Sequence, residues 1–452
     1  MNYEDSVRSL LALGRELASP QQARVQKFGL ENISVLTADL GNPHCAIPCA
    51  HIAGTNGKGS TAAILESILR SAGLRTGLYT SPHLERINER IRLNGEPVSD
   101  EIFAPAWTRV HASIESLMAS GKLTAHPTYF ECVTAMAFLI FAEQRVDFAI
   151  YEVGLGGRLD STNIVAPAVA VITAIDFDHE NFLGHSIAEI AAEKAGIIKP
   201  GVTVVSSVTR PEARAVVAQK CAAMQARLVE IDEAWRLEEM PSSEGFHRAV
   251  ATSKDSHAKL IIAPALPGRF QLRNALAAAT TARLLSESGK FHIEEPAIER
   301  GIAKVRWPGR LERLSENPAI YLDGAHNPSG ARELLEFWQR DLAGRRIILV
   351  YGAMRDKAVD EIAGILFPYA HEVILTEPRQ PRAISVPLLS EMTAHLASHR
   401  PTIIRDPFQA LDHALELARE NDAVFVTGSL YLVGDLRTYW RNRKFATPAV
   451  RP

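Results

Sequence analysis

The sequence predicts an α/β protein: a large N-terminal domain with a mostly parallel sheet, then a second, smaller α/β domain. Three observations predict it. Short apolar runs alternate with segments of helical periodicity, the pattern of a parallel sheet covered on both faces. A glycine-rich turn, Gly54-Thr55-Asn56-Gly57-Lys58-Gly59-Ser60, joins one such run to a helix. The alternation restarts after Trp307-Pro308-Gly309-Arg310, which reads as a linker.

In chain order, Met1 to Ala18 reads as an amphipathic helix with Val7, Leu10, Leu11 and Leu17 apolar. Ile47 to Ala53 is the strand before the glycine-rich turn. Thr61 to Ser71 is the helix after it, with Ile64, Leu65, Ile68 and Leu69 at helical spacing. Asp147 to Val153, Ala168 to Ile175 and Val202 to Ser206 are strand-like, and Tyr129 to Gln144 and Ser186 to Ile198 helical. Ser186 and Glu189 form a capping box that starts the second of these helices. Asp255 to Pro267 suits a hairpin or sheet edge, and Arg273 to Ser288 an alanine-rich helix. Beyond the linker, Ala319 to Leu322, Ile347 to Tyr351, Glu372 to Thr376 and Ala423 to Thr427 read as strands, with helices such as Ser329 to Leu342 between them.

A chain of 452 residues, 46% of them hydrophobic, is long enough for two or three domains with sizeable cores. A net charge of -3 offers no electrostatic reason to expect a nucleic-acid partner. Thr134 to Ala142, among the longest apolar runs, is too short to span a membrane. The N-terminus, Met1-Asn2-Tyr3-Glu4-Asp5, lacks the basic and apolar regions of a signal peptide. The expectation is a cytoplasmic monomer acting on small molecules, with no membrane or nucleic-acid partner. Four cysteines make no disulfide framework. His44, Cys45, Cys49 and His51 cluster as a zinc site would, but their spacing matches no standard motif, and packing explains them better.

Strand, glycine-rich turn and helix form the arrangement that holds a polyphosphate. Glycines let backbone N–H groups approach the phosphates, and the helix N-terminus adds positive potential. Lys58 adds a point charge near the outer phosphates. Ile52 stands where the usual phosphate loop has its first glycine. ATP or GTP is the expected ligand. Open α/β sheets place ligands at the carboxyl ends of strands, and three further segments put polar residues there. Glu152 ends an apolar run before a glycine-rich turn, where it suits Mg²⁺ or a pairing with Arg158. His179 follows a strand as a metal ligand, a phosphate contact or a structural histidine. Lys194 lies on the apolar face of its helix, seven residues after Ile187. It either snorkels to water or points at the site with its charge altered by modification. Asp323-Gly324-Ala325-His326-Asn327-Pro328 follows a strand of the second domain, from which Asp323 and His326 reach a shared cleft.

Five motifs occur in one order: Gly54 to Ser60, Thr80-Ser81-Pro82-His83, Glu152 to Asn163, Glu193-Lys194-Ala195-Gly196-Ile197 and Asp323 to Pro328. As a set they resemble folylpolyglutamate synthase/dihydrofolate synthase, a family of the Mur ligase superfamily. The resemblance is weakest over Val229 to Ala263. It implies a P-loop-type N-terminal ATPase domain (1–304), a linker (305–310) and a C-terminal Rossmann-like glutamate ligase domain (311–452). It also implies ATP-dependent ligation of L-glutamate to tetrahydrofolate or dihydropteroate through an acyl phosphate. By position, Thr55, Asn56, Gly57, Lys58, Gly59 and Ser60 match the phosphate loop. Asn274, Arg310 and Asp323 match nucleotide contacts. Ser81, Glu152 and His179 match Mg²⁺ ligands, and Lys194 the family's carbamylated lysine, which serves a second ion. Thr128, Tyr129, Phe130, Glu131, Leu159, Asp160 and Ser161 match the pterin-side pocket. His326 falls at the γ-phosphate or glutamate, and Lys58, Lys194 and His326 make up the catalytic set. The stretch Leu17 to Gln22 lacks the family's usual His-Ser-like pattern.

Two other readings differ in what they require. A ligase extending a cell-wall nucleotide peptide needs an N-terminal uridine-nucleotide domain, and Gly54 lies too near the start for one. A nucleotide switch needs the loop but not Glu152, His179 and Lys194 converging on metals.

Overall fold

The computed structural model describes residues 1–14 and 29–446. The predicted Met1–Ala18 helix is shorter, Tyr3–Ala12, because Gly14 at φ 89° ends it. Leu17 and the Leu17–Gln22 stretch lie outside the described residues.

The first sheet contains β1 (Cys49–Ala53), β2 (Thr76–Tyr79), β3 (Ile91–Leu93), β4 (Glu96–Pro97), β5 (Phe148–Glu152), β6 (Val169–Ile172), β7 (Thr203–Ser206) and β8 (Arg227–Glu230). Their order is β4-β3-β2-β5-β1-β6-β7-β8. The pairings of β3 with β2 and β4 are antiparallel; β2, β5, β1, β6, β7 and β8 run parallel. β1 is central, with Ile52 opposite Glu152 and Ala53 opposite Ile172. The chain therefore leaves β1, β5 and β6 side by side at one sheet end. Helices Lys58–Ser71, Gln271–Glu287 and Glu295–Lys304 cover one face of the sheet. Asp100–Ala119, Tyr129–Glu143, Ile187–Ala195 and Pro211–Ala223 cover the other. That two-sided burial is why these strands read as continuous apolar runs. Gly301 lets its helix touch the backbone of Ile68, where a Cβ would overlap.

Beside this sheet stands a three-stranded antiparallel one: β9 (Trp235–Glu239), β10 (Ala249–Ser253) and β11 (Lys259–Ile262), in the order β11-β10-β9. The hairpin or edge expected over Asp255–Pro267 contributes β11 alone. Its partners lie upstream.

The second domain carries β12 (Glu312–Glu316), β13 (Ala319–Leu322), β14 (Ile347–Tyr351), β15 (Glu372–Leu375), β16 (Thr402–Ile403) and β17 (Ala423–Thr427), in the order β12-β13-β17-β14-β15-β16. Only the β12–β13 pairing is antiparallel. Helix Pro328–Asp341 packs on one face through Leu334, Phe337 and Trp338, and Pro407–Leu417 and Leu430–Ala446 on the other.

The helix Pro328–Asp341 is held at both ends by the first domain. At its start, the Asn327 cap faces the glycine-rich loop. At its end, Asp341 meets buried His247 of the β9–β10 connection at 3.1 Å, and Gly245 leaves room for Phe337. On another side Arg437 links Glu312 (2.9 Å) to Glu85. No helix among the described residues is long and apolar enough to cross a membrane.

Candidate active site

The glycine-rich loop emerges from the end of β1 and turns into helix Lys58–Ser71 at Gly57, whose φ is 84°. Only glycine adopts that conformation without strain, and a Cβ there would also overlap the Asn274 amide. The loop is pinned to the β6 exit: the Thr55 N–H donates to Ala174 O (2.7 Å) and the Thr55 hydroxyl to Asp176 O (2.9 Å). The Lys58 ammonium curls back to donate to Gly54 O and Thr55 O, both at 3.0 Å. Burial lowers its pKa, while Glu152 and Asp178 act in the opposite sense. Gly59 lies against the indole of Trp307, over which Arg92 stacks at 5.2 Å.

One cleft of about 1110 Å³, counting its open mouth, is lined by this loop together with Ser81, Glu152, His179, Lys194, Asn274, Arg310, Asp323 and His326. Every sequence-predicted nucleotide, metal and catalytic residue thus meets in one place. Glu152 ends β5 next to Ile52 and is buried; its carboxylate accepts a hydrogen bond from the Ser81 N–H, at 3.2 Å. Burial raises its carboxyl, Lys58 acting against this. Lys194 lies on the buried face of its helix with Ile187, Ile190 and Ala191, as its spacing predicts. Its ammonium donates to Gly54 O at 2.8 Å. Burial, with Lys58 nearby, brings its pKa down to about 7. A free amine is therefore far more accessible at neutral pH than it is for an exposed lysine.

His179 follows β6 at φ 51°. Burial and Lys357 push its imidazole down to about 4. His326 donates from Nδ1 to Gly324 O (2.7 Å), which leaves Nε2 toward Asp178 at 3.8 Å. Burial and Lys357 push it down to about 3, so it is neutral at pH 7. The cationic charge at the cleft therefore comes from lysine and arginine rather than from His326. Asp323 spends its oxygens on the N–H groups of Leu311 and Ala325, both at 2.9 Å, and burial raises its carboxyl against the pull of Arg310.

The seven pterin-side candidates do not line this cleft. Thr128 and Glu131 satisfy each other in a capping box that starts helix Tyr129–Glu143. Tyr129 is buried, and Leu159 is half-buried beside buried Ser161. Phe130 packs on Gly154, a residue of the cleft rim. Asp160 accepts from the N–H groups of Gly154 (2.9 Å), Leu155 and Thr162 (both 3.0 Å), shaping that rim. Of the zinc candidates, Cys49 is buried, and His51 bonds Thr162 at 2.8 Å.

Three residues were missed. Asp178 accepts from Lys357 Nζ (2.9 Å) and Asn327 Nδ2 (3.2 Å). Asn327 also exchanges a reciprocal pair of amide hydrogen bonds with Asn56, at 2.9 and 3.2 Å. Asn327 lies in the Asp323–Pro328 motif beside His326, and Asp178 directly precedes His179. Lys357, in Arg355-Asp356-Lys357, carried no signal beyond a charged loop.

A central-strand phosphate loop facing a second α/β domain across one cleft is the architecture of a Mur-type ligase. Residues 52–282 match the Mur ligase middle domain and residues 309–430 the Mur ligase glutamate ligase domain. The dihydrofolate synthase/folylpolyglutamate synthase of Bacillus subtilis is 38% identical over 91% of this chain and 94% of that protein. Among solved structures, Mycobacterium tuberculosis folylpolyglutamate synthase complexed with ADP and AMPPCP is similar at a TM-score of 0.85 and 31% identity, covering 96% of this chain and 99% of that one. Escherichia coli FolC in complex with DHPP and ADP is similar at 0.85 and 29%, covering 98% and 99%. The chain belongs to the folylpolyglutamate synthase/dihydrofolate synthase family.

Proposed function

We propose that this protein uses ATP to ligate L-glutamate to a folate-type acid, tetrahydrofolate or dihydropteroate, working as a cytoplasmic monomer whose two domains meet at residues 305–310. The observation that carries the reading is the single cleft. It joins the Gly54–Ser60 loop, Glu152 and Lys194 of one domain to Arg310, Asp323 and His326 at the other.

In this mechanism a carboxylate oxygen of the acceptor attacks the γ-phosphorus of ATP, and ADP leaves. The amine of glutamate, having lost a proton, attacks the resulting acyl phosphate. A tetrahedral intermediate then expels phosphate and leaves the amide. The reactants are all anions, so charge stabilisation and positioning dominate. Lys58 and Arg310 supply fixed cations. His326, neutral with its proton on Nδ1, presents the Nε2 lone pair, which can accept a proton from the incoming amine.

Two oxygen donors beside a phosphate loop, with one imidazole nitrogen, can hold Mg²⁺, which prefers oxygen ligands and keeps phosphate company. Ser81, Glu152 and His179 would hold one ion. Lys194 would serve a second once its free amine adds CO₂, with loss of a proton, to become a carbamate. Bound there, the ions would supply Lewis-acid charge at the phosphates. Thr128 to Glu131 and Leu159 to Ser161 lie behind the Gly154 rim and would shape the pterin side.

A coupled phosphate-release assay with ATP and glutamate tests the reading, run in parallel with dihydropteroate and tetrahydrofolate. Release that requires both glutamate and a pterin acid is expected. Release independent of either would overturn it.

A further inference from the structure

We propose that Asp178 is a positioning residue for the ligation. Its carboxylate gathers Lys357 and Asn327 of the second domain onto the nucleotide face of the first, and the reactive cleft forms only when that clamp is made. The side chain is 11% exposed and its partner Lys357 9%. Oδ1 accepts from Lys357 Nζ (2.9 Å) and from the His179 N–H (2.9 Å). Oδ2 accepts from Asn327 Nδ2 (3.2 Å) and lies 3.8 Å from His326 Nε2.

The segment bearing Asp178 is tied to the phosphate loop. Thr55 exchanges hydrogen bonds with Asp176, its hydroxyl donating to Asp176 O (2.9 Å) and accepting from the Asp176 N–H (3.1 Å). Asn327 returns to the same loop through its amide pair with Asn56. A shift of the loop is therefore felt at the clamp by two routes. Removing one charge of a buried ion pair leaves the other uncompensated, so the closed arrangement depends on both. The second domain then keeps only the Asn327–Asn56 amide pair on the loop, while the loop's own backbone contacts persist.

The inference rests on the ligase reading. Wild-type, glutamate-dependent phosphate release tests that reading, and only variant-to-wild-type ratios test the clamp. Asp178→Asn is expected to cut kcat by about a hundredfold and to raise the glutamate KM by about tenfold, while the ADP dissociation constant, by calorimetry, moves less than about fivefold. Lys357→Met is expected to behave alike, and the double variant to be no worse than the poorer single one. Solution scattering with ADP is expected to show a more open molecule for each. An unchanged kcat, ADP affinity lost in step with kcat, or an additive double loss overturns the proposal. Should Asp178→Asn fail to fold by thermal melting, Lys357→Met and the double variant decide by the same criteria: unchanged kcat, ADP affinity lost with it, or a double variant poorer than Lys357→Met overturns the clamp.

Discussion

Lys194→Met probes the buried ammonium directly. Lys194 is 4% exposed, and its pKa falls from 10.5 to about 7, through burial first and then the nearby charge of Lys58. Below pH 7 the folded and unfolded chains both carry the proton, so the whole cost of the buried charge is present. From about pH 7 to 10.5 the unfolded chain holds a proton that the folded one lacks, and wild-type stability rises with pH. A fall from 10.5 to about 7 corresponds to ~5 kcal/mol at pH 6. The hydrogen bond to Gly54 O returns about 1 kcal/mol of that, and no more, because Lys58 still satisfies the same oxygen. Methionine keeps the length and drops the charge. The variant is therefore expected to be more stable than wild type by ~4 kcal/mol at pH 6 and by ~1 kcal/mol at pH 9. Urea denaturation of nucleotide-free, CO₂-depleted protein at pH 6, 7.5 and 9 measures both gaps. A gap that does not change with pH, or a variant less stable at pH 6, refutes the reasoning. Added bicarbonate at pH 8 is then expected to stabilise wild type alone, since only it can form the carbamate.

Lys58→Ala is expected to cut ATP turnover by about a thousandfold or more in the phosphate-release assay, because the outer phosphates lose their fixed cation; near-normal turnover contradicts the loop assignment. Gly57→Ala must place a side chain at φ 84° against the Asn274 amide. A loss of about 1–3 kcal/mol in thermal melts is expected, with ADP no longer stabilising the protein. Retained ADP stabilisation would remove the loop from the nucleotide site. Glu152→Gln keeps the volume and removes a carboxylate whose pKa burial has raised. Stability at pH 7 is expected to hold or rise while the Mg²⁺ concentration for half-maximal activity increases about tenfold; identical Mg²⁺ profiles argue against a ligand role.

Much of the fold was legible because its strands are buried on both faces. Ala319–Leu322 and Ile347–Tyr351 are uninterrupted apolar runs between turn residues, and their bounds match the structure. The β9–β11 sheet was not legible. Trp235-Arg236-Leu237-Glu238-Glu239 has three charged residues in five, buries only Trp235, and alternates too weakly to stand out from a loop. At the site, Glu152 and Lys194 declared themselves locally, one by ending a buried strand and the other by placing an ammonium on an apolar helix face. Asp178 and Lys357 had no such local signature. Their meaning lies in a contact between residues 179 positions apart, and nothing in either neighbourhood encodes the other.

The helix Pro328–Asp341 is a 14-residue rod, about 21 Å long at 1.5 Å per residue. Its far end is anchored at His247 and its near end at the loop through Asn327, so the rod links the two anchors. A displacement of the His247 anchor that tilted the rod by about 5° would carry the Asn327 end through about 2 Å, more than an in-line phosphoryl transfer tolerates. The β9–β10 connection, remote from the glycine-rich loop, thus shares in holding Asn327 against that loop.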